Sequence, residues 1–177
     1  MRQPIVALAL AALLALAGIP AAKAQPARRC FPEAAPAIAD CVEGRLASFW
    51  QASGGLPVFG YPLGPQRGEQ VEGQSLQAQP FERNRLELHP EAAPPYDVQL
   101  GRLGAEALAR QGRDWASFAK ADPATPHYFA ATGQAIAPAF WPFWSSHGLE
   151  LDGQRGTSFA ESLALFGMPL SPLQTEL

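Results

Sequence analysis

The chain has 177 residues, with 13 Lys+Arg against 16 Asp+Glu and a formal net charge of −3 at pH 7. A mildly acidic chain with no basic run lacks the clustered positive charge that phosphate binding needs, which excludes a nucleic-acid binder. No stretch reaches the roughly 20 apolar residues of a membrane-spanning helix.

The N-terminus reads as a secretory signal peptide, residues 1–24. Arg2 precedes an apolar run from Ile5 to Leu16, and Gly18, Pro20 and Ala22-Lys23-Ala24 form a small-x-small cleavage site. Cleavage after Ala24 leaves Gln25 as the mature N-terminus and removes Arg2 and Lys23, so the net charge falls from −3 to −5. No cysteine follows the apolar run directly, because Cys30 comes behind Ala27-Arg28-Arg29, and this argues against a lipid anchor. The expected location is extracellular, either free or associated with the cell surface.

Cys30 and Cys41 are the two cysteines. In an oxidising compartment such a close pair is most simply a disulfide, and the chain-entropy estimate for so short a loop is roughly 3 kcal/mol. It would pin the N-terminal arm to the first helix, and its reduction is expected to loosen only the arm before Val42.

Val42, Leu46, Phe49 and Trp50 follow the i, i+4, i+7, i+8 spacing of one helical face, and Gly54-Gly55 supplies a left-handed stop. Ile136, Phe140, Phe143 and Trp144 repeat that spacing ahead of Gly148-Leu149, with Pro142 expected to kink or shorten the second helix. A second element also recurs. Phe59-Gly60-Tyr61-Pro62-Leu63 and Phe166-Gly167-Met168-Pro169-Leu170 share a Gly-x-Pro turn flanked by apolar residues. Between the copies, Ser75 to Phe81 and Arg85 to His89 form a hairpin, in which Pro80 points to an edge strand. Val98-Gln99-Leu100 follows as a short strand. Leu103 to Gln111 then reads as a helix stopped by Gly112, with Trp115 and Phe118 packing against it.

In the second copy an insertion from Glu150 to about Leu165 contains Ser158-Phe159-Ala160-Glu161, a capping box that opens a helix running to Phe166. A calcium loop using Glu150, Asp152, Gln154 and Glu161 is the weaker reading, since an EF-type loop needs glycine where Arg155 stands. The expected fold is α+β: a small repeat-built domain of amphipathic helices and short hairpins. Residues 25–112 form a complete unit, 113–126 a linker, and 127–177 a partial unit without its own hairpin. Either the helix from Leu103 and the inserted helix replace the missing strands, or Phe140, Phe166 and Leu170 stay exposed and invite self-association or a partner. Replacement is favoured, because the insertion occurs only in the copy that lacks a hairpin.

Trp50, Gly54-Gly55, the Phe-Gly-Tyr-Pro turn and Phe81-Glu82-Arg83-Asn84-Arg85-Leu86-Glu87-Leu88-His89-Pro90 together resemble the LGFP repeat of cell-wall-associated bacterial proteins. The second helix and the Phe166 to Pro169 turn resemble the first half of that repeat, although Phe stands at both turns where the repeat has Leu. The resemblance implies attachment to the cell envelope, often beside extracellular hydrolase domains, and implies no catalytic residues.

No Gly-x-Ser-x-Gly, His-Glu-x-x-His or phosphate-binding glycine loop is present, so no cofactor, metal site or catalytic residue is assigned. His89, His127 and His147 are scattered, and Glu87, His89 and Glu91 read as a solvated strand face paired with Arg83 or Arg85. Trp50 and Trp144 belong to the core stripe. Trp141 lies off that stripe and is Ala47 in the first copy, so it is the candidate ligand contact, with Tyr128 and His147 near it in sequence. The function expected is a non-catalytic extracellular module that binds envelope polysaccharide or another surface component. The alternatives are the front part of a secreted hydrolase whose catalytic portion is missing, and a structural spacer.

Overall fold

A computed structural model describes residues 27–175, and the expected leader and cleavage point lie outside the described residues. They form a mixed α+β arrangement in which the first and last helices pack on a four-stranded antiparallel sheet.

The chain enters as strand β1 (Arg28–Arg29), which pairs antiparallel with β2 (Val42–Glu43). Between the two strands, Cys30 and Cys41 form the expected disulfide. The arm it closes does more than edge the domain. Phe31 is buried and meets Trp50 and Tyr61 edge-on at 5.5 and 5.3 Å, so reduction reaches into the core and is not confined to a peripheral arm.

Helix α1 (Gly44–Ala52) buries Leu46, Phe49 and Trp50 of the expected stripe and also Ala47, which was expected off it, while Val42 lies in β2. Gly54 and Gly55 both take positive φ and turn the chain into α2 (Gly55–Phe59). A side chain at Gly55 would press on the Trp50 ring, so glycine there lets the indole close over the turn.

Strands β3 (Arg67–Val71), β4 (Gln74–Pro80), β5 (Arg85–Leu88) and β6 (Val98–Leu100) form one antiparallel sheet in that order. Strand β3 is polar and lacks apolar alternation, so periodicity alone gives no sign of it. It forms because Glu72 and Gly73 both adopt positive φ, the geometry of a two-residue hairpin turn between Val71 and Gln74. This overturns the edge-strand reading of Pro80. Strand β4 lies inside the sheet, and Pro80 is tolerated because it is the last residue of the strand and its carbonyl accepts from Leu63 N–H. Leu86 and Val98 turn toward α1 and join its core, and Arg45 grips Asp97 through two 2.6 Å bonds.

Helix α3 (Leu103–Arg110) ends at Gly112 as expected and leads into a 3-10 turn at Trp115–Ser117. A small hairpin follows, β7 (Tyr128–Phe129) with β8 (Gln134–Ala135). The second amphipathic helix is shorter than its spacing implies: Ile136 lies just past β8, and α4 covers only Trp141–Ser146. Pro142 does not kink it, because it sits in the first turn, where a missing N–H costs nothing. Helix α5 (Phe159–Phe166) opens on the expected capping box, with Ser158 Oγ accepting from Glu161 N–H and the Glu161 carboxylate accepting from Ser158 N–H.

Helix α5 packs on α4 and the residues around it. Phe159 lies 5.2 Å from the Trp144 ring, Leu163 joins the cluster of Phe129, Ile136 and Trp144, and Trp144 Nε1 donates to Gly167 O. Ala164 and Leu165 of the same helix pack on the larger cluster around α1, so α5 bridges the two hydrophobic clusters. Helix α3 buries no residue fully, although Gly104 faces the Leu170 side chain. The cover is also incomplete, leaving Phe140, Phe143 and Phe166 exposed.

Candidate functional site

Trp50 and Trp144 are buried, as the periodicity required. Trp141 is half-buried and sits in a stack of rings. His127 stacks on it at 3.5 Å and 8°, and the Trp144 ring lies 5.3 Å away at 17°. His127 itself holds a left-handed φ of 60°, which places its imidazole over the indole. Tyr128 is a strand residue in β7, and His147 stacks on Phe143 at 4.1 Å, with its Nδ1 2.9 Å from the Phe143 carbonyl. The three residues therefore belong to three separate arrangements and do not converge on one pocket.

A second half-buried indole, Trp115, borders a cleft elsewhere. Its sequence context assigns it to packing on α3, and the cleft it lines measures about 470 Å³. The cleft runs between α3, the 3-10 turn and the β3–β4 turn. Five charged residues surround Trp115, namely Glu72, Arg102, Glu106, Arg113 and Asp114. Each is held. Arg102 pairs with Glu72 at 2.7 Å, Glu106 accepts from Arg85, Arg113 donates to Gln111 and Gln174, and Asp114 Oδ1 caps the 3-10 turn through Ala116 N–H. The Lys120 ammonium lies 5.9 Å from the Trp115 ring centre. An aromatic face among fixed donors and acceptors has the make-up of a ligand site, in which apolar contact supplies affinity and a few polar groups supply orientation. Sequence reading missed it because Glu72 and Arg102 come from turns about 40 and 13 residues from Trp115, and only the fold brings them together.

Of the two carboxylates near His89, Glu91 is exposed as expected and lies 2.9 Å from His89 Nδ1, but Glu87 is not on a solvated face. Glu87 is buried and accepts from Arg85 Nε at 2.8 Å, with His89 Nε2 at 3.4 Å on its other oxygen. The pairing with Arg85 is as expected, but Arg83 instead donates to Leu56 O. The same Arg85 guanidinium holds the Glu106 carboxyl below the usual carboxylate range and is itself pushed up by both acids. The network joins β5 to α3 and fixes one wall of the Trp115 cleft.

Glu150, Asp152 and Glu161 bring carboxylate oxygens within 4.8 Å of one another. All three are engaged by backbone donors. Glu161 accepts from Ser158 and Leu151 N–H, which hold its carboxyl below the usual range, Glu150 accepts from Gly153 N–H, and Asp152 from Gln154 N–H. The arrangement is a helix cap with its adjoining turns.

Among the described residues, no helix is long and apolar enough to cross a membrane. Comparison with protein-family models, with curated proteins and with solved structures finds no match for this chain.

Proposed function

We propose that this chain is a non-catalytic extracellular module that binds cell-envelope polysaccharide, with Trp115 as the contact for a sugar ring. The observation that carries the reading is the indole in an open cleft ringed by two arginines and three carboxylates. A pyranose offers an apolar C–H face to an aromatic ring and hydroxyls around its rim. The cleft offers the complement, and its polar groups are held by partners before any ligand arrives, which lowers the ordering cost of binding. The leader at residues 1–24 and the disulfide are compatible with export, and the resemblance to LGFP repeats favours attachment to an envelope.

The test is co-sedimentation of the oxidised mature chain, beginning at Gln25, with insoluble cell-wall polysaccharide. The expected result is saturable retention that falls at least tenfold in Trp115→Ala and is unchanged in Trp141→Ala. Retention that follows Trp141 would return the site to the second unit. Absence of retention on neutral and acidic wall glycans alike would refute polysaccharide binding.

A further inference from the structure

The two Phe-Gly-x-Pro turns have the same backbone. Gly60 sits at φ 77°, ψ −167° and Gly167 at φ 71°, ψ −167°, each closing its helix by donating to the residue four before it, Leu56 O and Leu163 O. Their surroundings differ sharply. In the first unit the turn is bonded to the corner of the β4–β5 hairpin: Glu82 N–H donates to Tyr61 O, Arg83 N–H to Phe59 O, and Leu63 N–H to Pro80 O. Among the described residues, the corresponding groups of the second unit, Met168 O, Phe166 O and Leu170 N–H, have no protein partner.

The side chains show the same difference. Leu46, Phe49 and Phe59 are 0%, 3% and 0% exposed beneath the sheet, whereas their counterparts Phe140, Phe143 and Phe166 are 58%, 59% and 39% exposed. The paired tryptophans do not change in this way, Trp50 and Trp144 being 6% and 7% exposed. A groove of about 340 Å³, lined by Phe140, Trp144, Phe166 and Met168, lies along this face.

We infer that this face is a docking site for the corner of an antiparallel β-hairpin supplied by a partner polypeptide. The occupant carries a Phe and a Leu on its apolar face, at the spacing of Phe81 and Leu86. Two independent sets of groups specify it: three backbone groups in the register that a hairpin corner satisfies, and three aromatic side chains that a sheet face would cover. A helix would satisfy its own carbonyls and leave Met168 O and Phe166 O unpaired, and a lipid surface would leave Leu170 N–H without an acceptor. A second copy of this chain has no free hairpin to offer, because its Leu86 and Phe81 are already buried against its own first unit.

The probe is a synthetic peptide of residues 66–100 of this sequence, titrated into the mature chain by calorimetry, with amide exchange followed at Leu170. The inference expects one peptide per chain, slower exchange at Leu170, and at least tenfold weaker binding for Phe143→Asp or for a peptide carrying Phe81→Asp. Phe143 is exposed, so the variant should keep its fold, which the amide spectrum checks. As a second measurement, the same residues are joined behind Leu177 by a flexible linker, and the fused hairpin should protect Leu170 in cis. Binding that is indifferent to Phe143→Asp, or no protection in either format, overturns the inference. So does a stable dimer of the free chain that protects Leu170 without any peptide, since a second copy would then be the occupant.

Discussion

Replacing Gly60 and Gly167 with alanine, one at a time, separates the cost of the turn from the cost of what covers it. Both glycines occupy a backbone region nearly closed to other residues, so each substitution is expected to cost about 1–3 kcal/mol in backbone strain. At Gly167 nothing lies within 4 Å of the new methyl, and strain is the whole cost. At Gly60 the methyl lands 2.7 Å from Glu82 Cβ, against the Glu82 carboxylate, and 3.0 Å from Arg83 Nη1. Both side chains must move, which breaks the bonds from Tyr61 N–H to Glu82 and from Arg83 to Leu56 O. Each such bond contributes about 0.5–1.5 kcal/mol, less where water replaces the partner, so Gly60→Ala should exceed Gly167→Ala by about 1–2 kcal/mol. For a domain of this size that is a difference of roughly 2–8 °C in Tm, readable by calorimetry or circular dichroism. Equal losses, or a larger loss at Gly167, would refute the claim that the first turn is locked by the hairpin and the second is open.

Replacing Cys30 and Cys41 together by serine should destabilise the chain by about 3 kcal/mol or more, because the bridge closes a short loop and also keeps Phe31 over Trp50. Urea unfolding with and without reductant checks this, and a loss confined to residues before Val42 by amide exchange would contradict it. Ser158→Ala should cost about 1 kcal/mol and raise amide exchange through the first turn of α5, because it removes the acceptor for Glu161 N–H. Acid should weaken the fold through Asp97, Glu106 and Glu161, whose carboxyls are held below their ordinary values by Arg45, by Arg85 and by backbone N–H groups respectively. Their contribution is complete above the unfolded values of 3.8 for Asp97 and 4.5 for the two Glu, and is lost as the pH falls through the lower folded values. A urea midpoint that stays flat from pH 6 to pH 3 would count against these pairings.

The elements that were legible from sequence are those set by local chemistry. The stripe of α1, the capping box of α5, the stop at Gly112 and the β4–β5 hairpin all depend on neighbouring residues, and all are present. Strand β3 was not legible, because its polar residues pair only after the Glu72-Gly73 turn folds them against β4. The apolar spacing around Ile136 suggested too long a helix, since β8 claims the backbone just before it and Pro142 can open a helix but not continue one. Burial of Glu87 was hidden for a related reason: its partner Arg85 is near in sequence, but Glu106, which completes the network, reaches Arg85 from another element. The candidate site suffered most. Sequence marks Trp141 as the unusual aromatic, while the residue that stacks on it, His127, and the residues that frame Trp115 are assembled only by the fold.

The central claim, that Trp115 is the residue that meets a sugar, is tested most directly by the indole N–H signals of the four tryptophans in a nitrogen-15 correlation spectrum. Each is assigned by single substitution, and the mature chain is titrated with soluble fragments of cell-wall polysaccharide. The account predicts that the Trp115 signal shifts in a saturable way while those of Trp50, Trp144 and Trp141 stay in place. A shift at Trp141 with none at Trp115, or four unmoved signals at saturating glycan, would contradict it.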